Sequence, residues 1–184
     1  MLLATLTDLK EFLGKDTDGM DPLLTSLLTR VCTRVETWLN RELDKKARTK
    51  VYDAGRRLYY LPAYPIDLAS PVSVYWQGQL QTLASDYWIW DDIGMIELYT
   101  KYNRIQPREM SFTWTGGWDG LDDVPEDVQL GVIIQTAFTF RRRKDIGVSS
   151  FSLPDGSMTV NTPLKLLPEV ADILRPYRRV PGMN

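Results

Sequence analysis

The residues that most often carry catalysis or bind zinc are nearly missing from this sequence. It contains no histidine and a single cysteine, Cys32. Histidine is the usual general base near neutral pH, and structural zinc sites are built from histidine and thiolate ligands. Neither of the glycine-rich motifs GxxxxGK and GxGxxG, which hold phosphate at the start of a helix, occurs in the chain. We therefore expect no catalytic residues, no metal and no cofactor.

Carboxylates are concentrated in a few short segments, where they could bind calcium or act on a glycosidic bond. Three aspartates lie between residues 16 and 21 around a glycine. The residues that follow do not provide the oxygen, glycine and glutamate that an EF-hand loop has at its fifth, sixth and twelfth positions. In the pairs Asp91–Asp92 and Asp122–Asp123, neighbouring side chains on a strand would point apart instead of flanking one bond. We interpret all of these segments as turns and helix caps.

Aromatic side chains are abundant, with six tryptophans and nine tyrosines that could stack on sugars or unpaired bases. A platform for single-stranded nucleic acid combines aromatic with basic side chains, but no basic residue lies between Trp76 and Trp90. We predict that the aromatic residues of the central region fill a core. The tryptophans concerned are Trp76, Trp88, Trp90 and Trp114.

Four consecutive cations, Arg141, Arg142, Arg143 and Lys144, follow a predicted helix. Cations at this position complement the negative end of the helix dipole, but they could equally contact the phosphates of DNA. Residues 141–184 contain eight basic and four acidic residues, although the whole chain has a net charge of −2. This end of the chain is therefore expected to meet an acidic partner surface or nucleic acid.

Two helices are predicted at the N-terminal end of the chain. Thr5 and Asp8 have the spacing of a capping box, and Gly14 is a typical stop signal for the short helix that follows. A second helix should begin at Asp21 and run to about Leu43. One face of this helix is rich in threonine and arginine and is predicted to be exposed to solvent or to contact a partner. The core face of this helix comprises Leu24, Leu27, Leu28, Val31, Cys32, Val35, Trp38 and Leu39.

The middle of the chain is predicted to form an antiparallel β-unit of five or six strands. Between Thr49 and Trp118, short aromatic and β-branched runs alternate with turn residues. Sequential hairpins of this kind pack as a small sandwich or barrel on helices.

The remainder of the chain is predicted to be mostly helical. A helix from Pro125 to about Arg143 has apolar residues on more than one face, so it should be buried on two sides, either at the centre of the fold or against another subunit. Residues 145–163 are predicted to be a loop or a small hairpin turning at Pro154–Gly156, and Pro168–Leu174 a last short helix.

The predicted fold class is α+β, with the elements arranged as a helical core and an insertion. Residues 1–48 and 119–184 would form the helical core, and residues 49–118 the inserted antiparallel β-subdomain. No run approaches the roughly 20 apolar residues of a membrane-spanning helix, and the first residues lack the pattern of a secretory signal. We expect no membrane association and an origin in the cytoplasm.

Several local sequences occur in an order that is more specific than any one of them. They are Thr5–Gly14, Val72–Val74, Phe112–Trp118, Val124–Val128 and Leu167–Val170 with the closing Pro176–Arg179. In this order they resemble the head-tail connector proteins of tailed bacteriophages, also called portal adaptor or head completion proteins, in a longer form with a β-subdomain between helices. The resemblance covers nearly the whole chain.

This resemblance implies a structural subunit without catalysis or cofactor. It implies a ring, dodecameric in the virion, that lies beneath the portal protein at the head-tail interface and assembles in the host cytoplasm. Genomic DNA would pass through the ring to the next connector, stopper or tail protein. Alternatives from other classes are a DNA-binding module that uses residues 141–144 and, less favoured, a glycan-binding β-domain.

The C-terminal segment is predicted to be the portal-docking element, through Arg175, Tyr177, Arg178 and Arg179. Prolines block helix continuation there, and the cations have few acidic neighbours in sequence. We also predict that this segment is poorly ordered in the free subunit.

Overall fold

The computed structural model describes residues 1–14, 18–103, 107–143, 150–153, 156–159 and 165–179. The chain divides into two compact units. The helical unit comprises residues 1–39 and 124–178, and the β-unit comprises residues 40–123 and 179–184. The boundaries thus lie after Leu39 and Asp123, whereas the sequence pattern placed them near residues 48 and 118.

Residues 40–45 belong to the β-unit because their backbone and side chains are fixed there. The backbone N–H of Lys45 donates to the Trp118 carbonyl at 3.0 Å, and the N–H of Trp118 donates to the Leu43 carbonyl at 2.7 Å. Gly117 has a φ of 111°, and a Cβ at this position would lie 2.6 Å from the Leu43 carbonyl oxygen. The buried Arg41 guanidinium lies over the rings of Tyr64 and Trp118.

Helix α1 (Leu6–Leu13) has the predicted limits. The Thr5 hydroxyl accepts a hydrogen bond from the Asp8 N–H at 3.0 Å, as the capping box requires. Gly14 ends the helix with a φ of 63°, a left-handed conformation that favours glycine.

Helix α2 (Asp21–Leu39) begins where predicted but ends about four residues early. Asn40, with a φ of 54°, leaves the helical conformation. Two members of the predicted core face, Leu27 and Trp38, are only half-buried. The residues that the helix does bury are Leu24, Leu28, Val31, Cys32, Val35 and Leu39.

Helix α3 (Glu126–Arg141) is the central helix of the helical unit, as predicted from its apolar pattern. It packs against α1, α2 and α4 (Pro168–Leu174). The apolar Leu130 of this helix is 43% exposed, whereas the polar Gln135 is buried at 1% exposure. Its buried residues are Val128, Gly131, Val132, Ile133, Gln135, Thr136, Ala137 and Phe140.

In the described part of the β-unit there are seven strands, one or two more than predicted, in two antiparallel sheets. The first sheet has the order β1-β7-β3-β4, and the second has the order β2-β6-β5. Neither closes into a barrel within the described residues. The strands are β1 (Lys46–Tyr52), β2 (Leu58–Tyr60), β3 (Ser73–Trp76), β4 (Gln79–Leu80), β5 (Tyr87–Trp90), β6 (Met95–Leu98) and β7 (Met110–Gly116). The predicted α+β class, with a central antiparallel region and a central helix after it, is confirmed.

Alternate residues of the two sheets form one core in the β-unit. In β7, every second residue from Met110 is buried. Phe112 lies 4.9 Å from Tyr59 and 5.4 Å from Tyr52 between ring centres, so residues from both sheets meet at this aromatic cluster. The Trp114 indole N–H is also buried and donates to the Ala63 carbonyl at 3.0 Å.

Of the two possibilities for residues 145–163, a hairpin is present. Strands β8 (Ser150–Leu153) and β9 (Gly156–Thr159) pair antiparallel, with Leu153 opposite Gly156. The predicted turn residues Pro154 and Asp155 lie outside the described residues.

Candidate functional site

Chemistry-bearing residues do not converge in the described part of the chain. Among these residues, no group of three or more histidine, cysteine or carboxylate side chains is placed to hold a metal ion. Among the same residues, no helix is long and apolar enough to span a bilayer. Cys32 is buried, its Sγ accepts from the Leu3 N–H at 3.4 Å, and burial raises the pKa of its thiol. The cysteine is therefore a small packing group, as its place in the apolar pattern indicated.

The acidic pairs are local turn and loop residues, as expected. A carboxylate oxygen of Asp92 accepts from the N–H of the next residue, Ile93, at 2.9 Å. Asp123 accepts from the Asp119 N–H at 2.9 Å. Asp21 forms an ion pair with Lys10 at 3.1 Å. Each of these carboxylates therefore forms a hydrogen bond or an ion pair with a residue nearby in the chain.

The basic cluster after α3 is partly held against its own helix. The Arg142 guanidinium lies 5.4 Å from the centre of the Phe138 ring, and that of Arg143 lies 4.0 Å from the Phe140 ring. Arg143 also donates to the Phe140 carbonyl at 2.7 Å, which satisfies an acceptor at the helix end. Arg141 is exposed, and Lys144 lies outside the described residues. These contacts favour a helix-capping role over phosphate contact for Arg142 and Arg143.

The C-terminal segment is folded as far as Arg179, in contrast to the predicted poor order. Arg175–Tyr177 continue α4 as a short 3-10 helix. Tyr177 is half-buried, and burial together with the nearby Asp127 carboxylate raises the pKa of its hydroxyl. Arg178 lies 4.8 Å from the centre of the Trp38 ring in the helical unit. Contacts with residues that are distant in the sequence, such as that between Arg178 and Trp38, account for this order.

Arg179 belongs to the β-unit, where it donates to the Tyr60 carbonyl at 2.9 Å. Arg175 is exposed, with 76% of its side chain accessible, and pairs with Asp172 at 2.7 Å. The four residues thus do not present one continuous side-chain surface within a single unit.

The helical unit contains a groove that is a candidate surface for a partner. It has a volume of about 650 Å³ and runs between α2 and the segment around Lys165. We call it the Trp38 groove. Its lining comprises Arg30, Thr33, Arg34, Thr37, Trp38, Lys165, Leu166 and Ala171.

Two threonines of α2, Thr33 and Thr37, line the groove. Thr29, Thr33 and Thr37 each donate a hydroxyl hydrogen bond to the carbonyl four residues earlier, at 2.9, 3.1 and 2.9 Å. Hydroxyls that bond to their own helix are less available to solvent, so the methyl groups contribute more to the outward surface. The predicted threonine-rich face is thus a mixed apolar and basic surface.

An exposed aromatic face on the second sheet was not predicted. Trp88 and Trp90 are 47% and 45% exposed, whereas Tyr87 and Ile89 between them face the core. The prediction that all four central tryptophans fill the core was therefore wrong for these two. Because the β5 sequence is apolar on both faces, its alternation does not reveal which face is buried.

Comparison with known proteins identifies the family. Residues 2–180 match the family model described as head completion protein. No curated protein matches the chain significantly.

Solved structures with a similar fold include neck components of gene transfer agent (GTA) particles. The neck of a native GTA particle computed with C12 symmetry matches with a TM-score of 0.59 at 16% identity. The neck of an empty GTA particle computed with C6 symmetry matches with a TM-score of 0.61 at 18% identity. In both cases the match covers 98% of this chain and 92% of the other. At these identities the likeness concerns the fold, and it extends over nearly the whole chain. The family match confirms the resemblance seen in the sequence, and the chain belongs to the head completion protein family.

Proposed function

We propose that the chain is a structural subunit of a head-tail connector, and that copies of it form a ring through which DNA passes. The observation that carries this proposal is the family match over residues 2–180, which includes both units. The fold is also shared over 98% of the chain with neck components of GTA particles, one of them computed with C12 symmetry. Such a subunit would lie in the virion between the portal protein and the next connector or tail protein.

A ring subunit needs two different side surfaces that fit each other, because a head-to-tail contact closes only at one rotation per subunit. The Trp38 groove is concave and basic, whereas the chain as a whole has a net charge of −2. A wall that is not strongly basic also suits DNA that must slide, because phosphate contacts by lysine and arginine dominate DNA affinity.

Docking on the portal is the finer part of the proposal, and we assign it to Arg175, Tyr177, Arg178 and Arg179. Arg175 and Arg178 are the exposed members and can therefore reach an acidic surface. Tyr177 and Arg179 are half-buried and would position the segment. Charge-assisted hydrogen bonds from arginine to carboxylates are stronger than neutral ones, so these contacts would confer orientation.

The docking assignment is tested by reversing charge at the two exposed positions. Arg175→Glu with Arg178→Glu should abolish co-sedimentation with DNA-filled, tailless capsids that carry the portal. The matched control is Arg56→Glu with Arg108→Glu, which makes the same charge change at two other exposed arginines. Equal co-sedimentation of both variants would move the docking surface elsewhere.

A second candidate function, glycan binding by the β-unit, is favoured by the exposure of Trp88 and Trp90. Aromatic side chains that stand on an accessible sheet face can stack on sugar rings. Glycan-dependent quenching of tryptophan fluorescence that disappears in Trp88→Ala with Trp90→Ala would support it. Without any quenching across a panel of glycans, the candidate fails.

A further inference from the structure

The Trp38 groove combines cations, threonines and an aromatic ring, and the lining residues that the structure describes include no carboxylate. Arg30, Arg34 and Lys165 supply the charge, and all three are exposed. Within the described ranges, none of the three forms an ion pair with a carboxylate. Cations that gather around an apolar floor favour a partner that brings both carboxylates and an apolar side chain.

The floor of the groove is well defined. Trp38 is half-buried, and the buried Leu166 lies beside it in the lining. Arg178 covers one part of the Trp38 ring at 4.8 Å. A half-buried tryptophan surrounded by polar groups is the kind of residue that contributes strongly to protein interfaces.

A segment with the complementary chemistry is present in the same chain. Residues 119–123, with the sequence Asp-Gly-Leu-Asp-Asp, form a loop of the β-unit that contains three carboxylates, all on exposed residues. Leu121 at its centre is half-buried. Asp119 forms an ion pair with Lys45 at 3.2 Å, but 70% of its side chain is accessible, so it can take part in a second contact.

We propose that the Trp38 groove of one subunit receives the acidic loop, residues 119–123, of a second copy of this chain. Leu121 would contact the apolar floor, and the carboxylates would face Arg30, Arg34 and Lys165. The two surfaces differ, so the contact is head to tail and repeats around a closed ring. This inference rests on the proposed function, in that the repeated contact is the lateral contact of the connector ring.

The proposed contact is smaller than a stable protein interface. Stable interfaces bury about 1,200–2,000 Å² in total, and one five-residue loop in a groove supplies only part of that area. The groove contact would therefore select the partner and its register, while other surfaces add area. Complementary charges at such a contact raise the association rate and exclude wrong pairings.

The test is a charge swap in the full chain, with the mass of the particles as the readout. Arg30→Glu with Arg34→Glu should weaken assembly about tenfold or more, because like charges would then face each other. Asp119→Arg with Asp122→Arg should weaken it similarly. The four substitutions together should restore assembly, and Arg56→Glu with Arg108→Glu is the control that should leave it unchanged. Circular dichroism establishes that each variant is folded.

The possible outcomes separate the inference from the proposed function. Wild-type protein should form rings, alone or on portal-bearing capsids; if it forms none in either condition, the proposed ring function fails. If wild-type rings form and the folded groove variant assembles equally well, only the groove contact is overturned. Assembly by the groove variant together with loss of capsid binding would assign the groove to the portal and overturn the second copy as occupant. If the variant with all four substitutions is folded but does not assemble, the proposed contact between groove and acidic loop is also contradicted.

Discussion

The side-chain carbonyl of Gln135 accepts a hydrogen bond from the Leu167 backbone N–H at 2.9 Å, between residues 32 positions apart. Gln135 is 1% exposed and lies on the central helix α3, whereas Leu167 immediately precedes α4. The first N–H groups of a helix have no partner within it, so this contact both caps α4 and joins it to the centre of the helical unit.

Gln135→Met should destabilise the protein by about 1–3 kcal/mol, because a similar side-chain shape then leaves a buried N–H without its acceptor. Urea denaturation followed by far-UV circular dichroism measures the free energy of unfolding. Gln79→Met, at an exposed position of β4, should change that free energy by no more than about 0.5 kcal/mol. A similar small change in Gln135→Met would show that α4 is not held through this bond.

Two phenylalanines near the end of α3 should respond differently to truncation. Phe140 is 2% exposed, whereas Phe138 is half-buried under Arg142. Phe140→Ala should cost about 3–5 kcal/mol of unfolding free energy, because it removes a ring from a packed core. Phe138→Ala should cost clearly less in the same denaturation assay. The reverse order would mean that the buried side of α3 is misassigned.

Tyr52 should make stability depend on alkaline pH. Burial raises the pKa of Tyr52 to about 12, and its hydroxyl donates to the Tyr60 carbonyl at 3.1 Å. The neutral phenol is the form favoured by folding, so its contribution is fully present below the ordinary tyrosine pKa near 10 and is lost as the pH rises toward 12. Between pH 9 and pH 11.5, wild-type protein should lose more unfolding free energy than Tyr52→Phe. The other tyrosines titrate in both proteins, so their effects cancel in the comparison. Equal losses of unfolding free energy in the two proteins would contradict the raised pKa of Tyr52.

The exposed tryptophans should be dispensable for folding, unlike the buried one. Trp114→Ala should cost about 3–5 kcal/mol, since it removes the largest fully buried side chain of the β-unit core. Trp88→Ala and Trp90→Ala should each cost less than about 1 kcal/mol, although Trp90 donates to Glu97 at 3.4 Å. Thermal unfolding of the three variants gives the comparison. A large loss in Trp88→Ala would place the outer face of the second sheet in a core.

Helix ends were predicted correctly where capping residues near the end determine them. Thr5 and Gly14 define α1, and Pro168 begins α4, because caps and first-turn prolines act within a few residues of the helix end. The end of α2 was misplaced because Leu43 continues the apolar pattern of the helix, although it packs in the β-unit. Apolar periodicity predicts burial without specifying the element against which the residue packs.

The candidate site was only partly accessible to sequence reasoning. The threonine and arginine face of α2 was identified as a possible partner surface from its spacing. Lys165 and Leu166 could not be joined to Trp38, since more than a hundred residues separate them and only tertiary packing brings them to one groove. Order in the C-terminal segment was likewise missed, because Arg178 is held by Trp38 and not by a neighbour in sequence.

The central claim is that copies of this chain assemble into a ring at the head-tail junction, and the mass of the purified particles tests it most directly. Native mass spectrometry or mass photometry would be performed on the wild-type protein alone and after mixing with purified portal protein. The account predicts a discrete closed species whose mass is an integral multiple of the 21.2 kDa subunit, either alone or bound to the portal ring. A monomer that stays monomeric and unbound at every concentration in both conditions would contradict it.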